Sequence, residues 1–494
     1  MIMSIKHYLL PRIRRQPATQ LRALLPSRVW QTALIAIAPF AAYADLNLVP
    51  DMTPAQASAA AGTQRVYDTL RVRTTDESAS LTADEQGLFD IARELVETSN
   101  EQQGSGPTQF SLGLTVDDLR NALQWVAAEE LATPGTLATK TSSGQLASLA
   151  ARFTAVRRGA TGFRTSLLND GGSRAWPRPI MLASAAEDGL SRGLLGDDPA
   201  SSFSRLGGFF NVALGFGSKD PTAREDAFDY GNANMTLGVD YRATTRWVYG
   251  AALGYNRYEV DFDSGKSIVD GSVDSNGLTA TLYGLYTLDA FSLDISANIG
   301  GNSFDIVRHI KYASNNPALP STNETANGST DSSQYSFSIG GNYEGHRDAL
   351  AYALQAQVTT LNVTIDGYTE SNAGAFNLQL EDQRITSLTS TLGVQASYTL
   401  NRSFGVLIPE ASLQWHHEFN NDSRLVQARY VADPLASNFL AAPTEDPDRD
   451  YFSLGMGASA VFAQGLQVFV HYETLLGLSN ITDHLLTGGA RMEF

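Results

Sequence analysis

The sequence predicts an all-β transmembrane barrel of about twelve antiparallel strands, preceded by a short, mainly α-helical N-terminal region. Three observations carry that expectation: residues 206–494 alternate apolar and polar positions in strand-length pieces, the connections between them alternate short and long, and the chain opens with an export-type leader. A membrane strand faces lipid on one side and a lumen on the other. Its side chains therefore repeat with a period of two over about 10 residues per crossing.

Residues 1–44 contain Lys6, Arg12, Arg14, Arg15, Arg22 and Arg28, no acidic residue, and the apolar run Ala33-Leu34-Ile35-Ala36-Ile37-Ala38, followed by Ala42-Tyr43-Ala44. That order predicts a secretory signal peptide cut before Asp45, with Ala42 and Ala44 as the small cleavage-site residues. The run is short and is followed by Pro39, which disfavours a spanning helix. No later stretch approaches the roughly 18 uninterrupted apolar residues of a membrane helix. With no cysteine in the chain, disulfides and thiol chemistry are excluded.

The net charge of −17 divides into +6 for the leader, −6 for residues 45–205 and −17 for residues 206–494. A chain this acidic has no electrostatic footprint for nucleic acid. Most acidic residues of the last segment, among them Asp261, Asp263, Asp270, Asp274, Glu445, Asp446, Asp448 and Asp450, fall in connections and read as solvated loop tips. The stretch 261–265 lacks the acidic or amide residue before Gly265 and the terminal Glu of a calcium loop, so neither a metal nor a cofactor is expected.

Residues 45–170 read as a helical pre-barrel region. Asp84 to Glu101 puts Leu88, Ile91, Ala92 and Leu95 on one face, behind a cap at Thr82 with Glu85 three residues on. Val116 to Leu131 repeats the pattern with Leu119, Ala122, Leu123 and Val126 and stops before Pro134-Gly135. Gln145 to Leu168 places Leu146, Leu149, Ala150, Phe153 and Val156 at helical spacing. Residues 171–205, broken by Gly171-Gly172, Pro177, Pro179, Gly196 and Pro199, read as a linker holding a pore helix near Met181 to Leu194.

The period then changes to two. From Thr386 to Leu400, the even positions Leu388, Leu392, Val394, Ala396 and Tyr398 are mostly apolar, while the odd ones are small or polar. Comparable pieces begin near residues 206, 229, 245, 274, 290, 332, 349, 386, 404, 450, 466 and 482. The links at 242–245, 288–290, 344–348, 400–403 and 463–465 are tight, whereas 307–331, 366–385 and 421–449 are long and polar. Short turns belong in the periplasm and long loops outside. An even strand count then returns both barrel ends to the periplasm. Trp247, Tyr249, Tyr255, Tyr286, Tyr398, Trp415, Phe419 and Tyr472 lie toward strand ends, as interfacial girdles require.

Catalytic triads and zinc sites need His or Cys, and residues 45–308 contain neither. No G-x-S-x-G motif occurs either. If Trp415 faces lipid, His416 shares the lumen face with Glu410, Ser412, Gln414 and Glu418, and His471 shares one with Glu473. A polar network of Glu410, His416, Glu418, Glu473 and Arg491 that braces an internal helix is one reading. A barrel hydrolase using His416 with Glu418 is the other.

Four C-terminal fragments resemble the monomeric (type Va) autotransporters of Gram-negative bacteria: Pro409 to Phe419 with its Trp415-His416-His417-Glu418-Phe419 ending, Asp450 to Gly457, His471-Tyr472-Glu473, and Gly488 to Phe494. Upstream, Ala122-Leu123, Glu129-Glu130, Gln145 and Arg152 to Gly159 are similar to the segment that precedes the barrel in this family. The resemblance implies a monomeric translocator in the outer membrane, residues 206–494, that exports or displays what precedes it at the cell surface. It also implies outer-membrane lipid, periplasmic chaperones and the barrel-assembly machinery as partners. Leu486, Ala490, Met492 and Phe494 then form the assembly signature. The chain departs from the family in its passenger, which lacks a β-helix or an enzyme. The rival is a channel or structural barrel whose helices form a plug or periplasmic domain.

Overall fold

The computed structural model describes residues 45–74, 80–105, 108–157, 205–435, 437–462 and 466–492. Ala42 and Ala44, the expected pore helix at 181–194 and Phe494 lie outside these residues. Ala490, Arg491 and Met492 are described in backbone only.

The strands are β1 (Leu206–Lys219), β2 (Phe228–Arg242), β3 (Trp247–Phe262), β4 (Gly271–Leu288), β5 (Phe291–Tyr312), β6 (Thr322–Arg347), β7 (Leu350–Ile365), β8 (Leu378–Leu380), β9 (Gln383–Tyr398), β10 (Leu400–Arg402), β11 (Gly405–Glu418), β12 (Leu425–Tyr430), β13 (Leu440–Pro443), β14 (Asp450–Phe462), β15 (Leu466–Leu476) and β16 (Ile481–Met492). Twelve of them close into an antiparallel barrel in the order β1 to β7, β9, β11, β14, β15, β16, and β16 returns to β1 with Leu486 opposite Leu214. Closure pairs every strand on both sides, the condition for a sheet to cross lipid. All the strand starts read from sequence but one fall within three residues of the observed starts. The exception is the strand placed at 332. The 307–331 stretch expected as a polar loop instead carries β5 on to Tyr312 and starts β6 at Thr322, leaving only 313–321 as a connection.

That extension has a physical cause, visible in how the two faces of β5 change along its length. From Phe291 to Ile299 the outward side chains are Phe291, Leu293, Ile295, Ala297 and Ile299, and the inward ones are Ser292, Asp294, Ser296 and Asn298. Beyond Gly300-Gly301 the sides exchange character. Phe304, Ile306, Ile310 and Tyr312 point in and are buried, while Ser303, Asp305, His309 and Lys311 point out. Along β3, Leu253 and Tyr255 are the last outward apolar residues before Arg257, Glu259 and Asp261, as Tyr258, Val260 and Phe262 turn inward and buried. Lipid ends at that level. Above it the strands are walls of a water-exposed protein that need an apolar filling.

The N-terminal helices supply it. Among the described residues these are α1 (Pro54–Thr74), α2 (Ala83–Gln102), α3 (Val116–Ala127) and α4 (Thr133–Arg157). At the start of α2, the Glu85 amide donates to Thr82 Oγ1 (3.2 Å) and the Thr82 amide to Glu85 Oε2 (2.8 Å), a reciprocal cap. Helix α3 stops at Ala127 rather than at Leu131. Ala128 takes a left-handed φ of 55° and a 3-10 turn, Glu129–Ala132, leads into α4. Pro134-Gly135, expected as a break, is the first turn of α4, where a proline's missing N–H costs no helical hydrogen bond.

Leu70, Leu95, Leu119 and Leu123 of α1 to α3 are buried in one continuous core with Tyr258, Val260, Phe304, Ile306 and Ile310 of the barrel mouth. A small sheet, β13-β12-β8, built from the 366–385 and 421–449 connections, contributes Leu378, Leu380, Tyr430 and Leu440 to the same core. The polar loops expected there are thus partly folded against α1, where an added Cβ at Gly62 would lie 2.9 Å from Leu440 Cγ.

Candidate functional site

Helix α4 occupies the lumen and has a direction. Gly135, in its first turn, lies against Ile385 and the Arg424 guanidinium at the long-loop end. Arg157, its last residue, donates from Nε to Glu344 Oε1 (2.8 Å) and sits 3.9 Å from Asp294, next to the tight turns. The helix therefore descends from the outer mouth to the periplasmic end, close to where β1 begins.

Polar and apolar contacts hold it. Gln145 donates from Nε2 to Thr281 Oγ1 (3.1 Å) and accepts from Thr236 Oγ1 (3.1 Å). Gly254 permits this approach, since a Cβ there would fall 2.2 Å from Gln145 Oε1. Arg152, 2% exposed, donates from Nε to Asp240 Oδ2 (2.6 Å), which also accepts from the Tyr283 hydroxyl (3.1 Å). Leu149, Phe153 and Val156 pack with Phe209, Val248, Tyr283 and Leu285. Charges this buried persist only when paired.

A second cluster joins helices α1 to α3 to the barrel mouth. Arg308 is the one charged residue on the inward apolar half of β5. It donates from Nε and Nη2 to the two carboxylate oxygens of Glu370 (2.9 and 2.7 Å), from Nη2 to Phe376 O (3.0 Å), and from Nη1 to Trp125 O (3.4 Å) in the last turn of α3. One guanidinium thus ties a barrel strand, an outer loop and an orphan helix carbonyl together. Glu130, in the turn after α3, is fully buried, and neither of its carboxylate oxygens receives a hydrogen bond from another residue among those described. Burial pushes its carboxyl up to about 8, against the pull of Arg308 and with added repulsion from Asp226 and Glu370.

The residues singled out from sequence lie elsewhere in the lumen. Glu410 accepts from Gln395 Nε2 (3.2 Å) and faces His471 Nδ1 at 3.5 Å, and Glu473 is held beside His471 on β15. His416 spans Thr391 Oγ1 (3.0 Å) and Ser453 Oγ (3.3 Å) and stacks on Tyr451. Glu418 accepts from the Leu388 and Asn420 amides (3.0 and 2.8 Å) and from Thr389 Oγ1 (2.9 Å), closing a strand end. The structure brings Glu410, His471 and Glu473 together, and it seats His416 and Glu418 in separate hydrogen-bond sets. The polar side-chain contacts to the middle and end of α4 come from Asn211 of β1 and from Thr236, Asp240, Thr281, Asp294 and Glu344 on the β2 to β6 wall. The sequence signal for those was an acidic residue on an inward position near a tight turn.

Residues 208–473, over half of the chain, match the model of the family described as Autotransporter beta-domain. The chain belongs to the autotransporter β-domain family. This autotransporter is an outer-membrane β-barrel protein. It is 27% identical over 188 residues to Esterase EstA of Pseudomonas aeruginosa, covering 37% of this chain and 27% of that protein. The chain thus spans little more than a quarter of that curated relative's length. Among solved structures, it is similar to the translocator domain of autotransporter NalP from Neisseria meningitidis (TM-score 0.45, 14% identity, 58% of this chain and 88% of that one). It is also similar to the β domain of the Bordetella autotransporter BrkA (TM-score 0.40, 17% identity, 58% and 99%).

Proposed function

We propose that this autotransporter carries residues 45–132 across the outer membrane and retains them as a docked cap on the outer mouth, with α4 left in the pore as the tether. The observation that supports this reading is the core shared by α1 to α3 and the inward apolar halves of the strands. A freely displayed passenger has no use for such a surface, and a periplasmic domain would lie at the opposite end of α4. The cap is proposed to be a binding or sealing element rather than an enzyme, because residues 45–157 hold no His or Cys to serve as base or nucleophile. Residues 1–44 act as the export signal in this scheme.

Because the chain has no cysteine, single substitutions report location cleanly. Cysteine placed at Asp68 or Thr74, both exposed on α1, is expected to react with a membrane-impermeant maleimide on intact cells, while residues 45–132 resist added protease. Labelling only after outer-membrane permeabilisation would refute the surface cap.

Assembly partners are part of the same proposal. Leu486 is 42% exposed on the lipid face of β16, and Ala490, Met492 and Phe494 continue its alternate positions. Deleting Phe494 is expected to leave inner-membrane export intact and to lower the amount of heat-modifiable barrel in outer-membrane fractions, through weaker reading by the barrel-assembly machinery. Unchanged barrel levels would remove that role.

A further inference from the structure

Glu130 sits where the cap turns into the pore helix, with the left-handed Ala128 before it and α4 starting three residues after it. Among the described residues, its surroundings contain one cation, Arg308, for several carboxylates. From β5 comes Arg308, already bidentate to Glu370 of the outer loop; from the β1–β2 connection comes Asp226, which accepts from Gln124 Nε2 of α3 (3.3 Å). The loop adds the buried phenol of Tyr368. An ionised Glu130 would add one more negative charge to this buried cluster, with no hydrogen-bond donor from another described residue reaching it. Protonated, the same side chain adds no charge.

We propose that Glu130 is a proton-operated latch: with the carboxyl neutral the cap stays seated in the mouth, and its ionisation loosens the cap about the 128–132 turn while leaving the barrel intact. The inference rests on the docked cap proposed above and adds its regulation by external pH.

The sign follows from linkage. The Glu130 carboxyl titrates near its ordinary value of 4.5 when the cap is open, and burial holds it up to about 8 when the cap is seated. Seating is therefore fully favoured below about 4.5. It weakens by roughly tenfold per pH unit between there and about 8, and is flat above.

The test uses the full-length protein folded in lipid vesicles. Hydrogen-exchange protection factors for α1 to α3, corrected for the intrinsic pH dependence of exchange, are measured between pH 5 and 9. Wild type is expected to lose about a hundredfold in protection over two pH units within that window and to level off above about 8. Glu130→Gln is expected to remain protected and nearly flat, with unchanged strand protection as its control for folding. Should that variant not fold, Asp226→Asn serves instead, expected to move the midpoint to lower pH and shrink the amplitude. A protected cap with a flat profile in wild type overturns the latch alone. Absence of protection at every pH overturns the docked cap itself.

Discussion

Arg308→Ala is expected to unseat the cap while sparing the barrel. The substitution leaves Glu370 buried and charged beside Tyr368, with Leu378's amide as its remaining strong donor (2.9 Å), and it frees the carbonyls of Trp125 and Phe376. Breaking a buried pair in this way costs about 3–5 kcal/mol, enough to dominate the docking of a small helical unit. Limited proteolysis of residues 45–132 in folded protein should show the loss, while heat-modifiable migration of the barrel stays unchanged. Replacing both partners, Arg308→Met with Glu370→Leu, removes the charges together and should retain most of the docking. Equal protease resistance in the single variant and wild type would show that the apolar core holds the cap without the pair.

Arg152→Ala should open the pore. Among the described residues, Asp240 would keep the Tyr283 hydroxyl as a hydrogen-bond donor and the attraction of Arg242, and would lose its direct ion pair, at a cost of up to about 3–5 kcal/mol to the seating of α4. The readout is single-channel conductance of purified protein in planar bilayers, expected to rise in size and open time over wild type. Arg152→Met with Asp240→Leu should leak less than the single variant, since neither charge of the buried pair remains. A single variant as quiet as wild type would assign closure to the packing of Leu149, Phe153 and Val156 instead.

How much of this was legible depended on which physical signal each segment carried. Barrel strands could be read because lipid enforces a period of two, and tight turns such as 289–290 mark their ends. Helix α1 is hard to read because the first turns of its buried face are Ala55, Ala59, Ala60, Gly62 and Thr63, which pack by close approach, and the large apolar residues Val66, Tyr67 and Leu70 follow only in its second half. The start of α4 was hidden by Pro134-Gly135, a breaker signal in mid-helix and harmless in a first turn. Asp226, Glu370 and Asp433 look in sequence like any solvated loop carboxylate, yet they are buried, because the loops that carry them fold under the helices. His416 and Glu418 shared a face as expected, but a shared face does not fix which neighbours a side chain chooses. Arg308 carries a readable signature, a lone charge in the inward apolar phase of Phe304, Ile306, Ile310 and Tyr312.

The exchange of faces at Gly300-Gly301 also sets a height. At about 3.3 Å per residue and a tilt near 40°, Phe291 to Ile299 spans roughly 20 Å of membrane normal, in keeping with a thin outer-membrane hydrocarbon layer. The remaining stretch to Tyr312 climbs about another 30 Å by the same rise and tilt. In the orientation proposed above, the helical unit rests on a turret, clear of the headgroups, where its outer surface meets whatever solution bathes the cell.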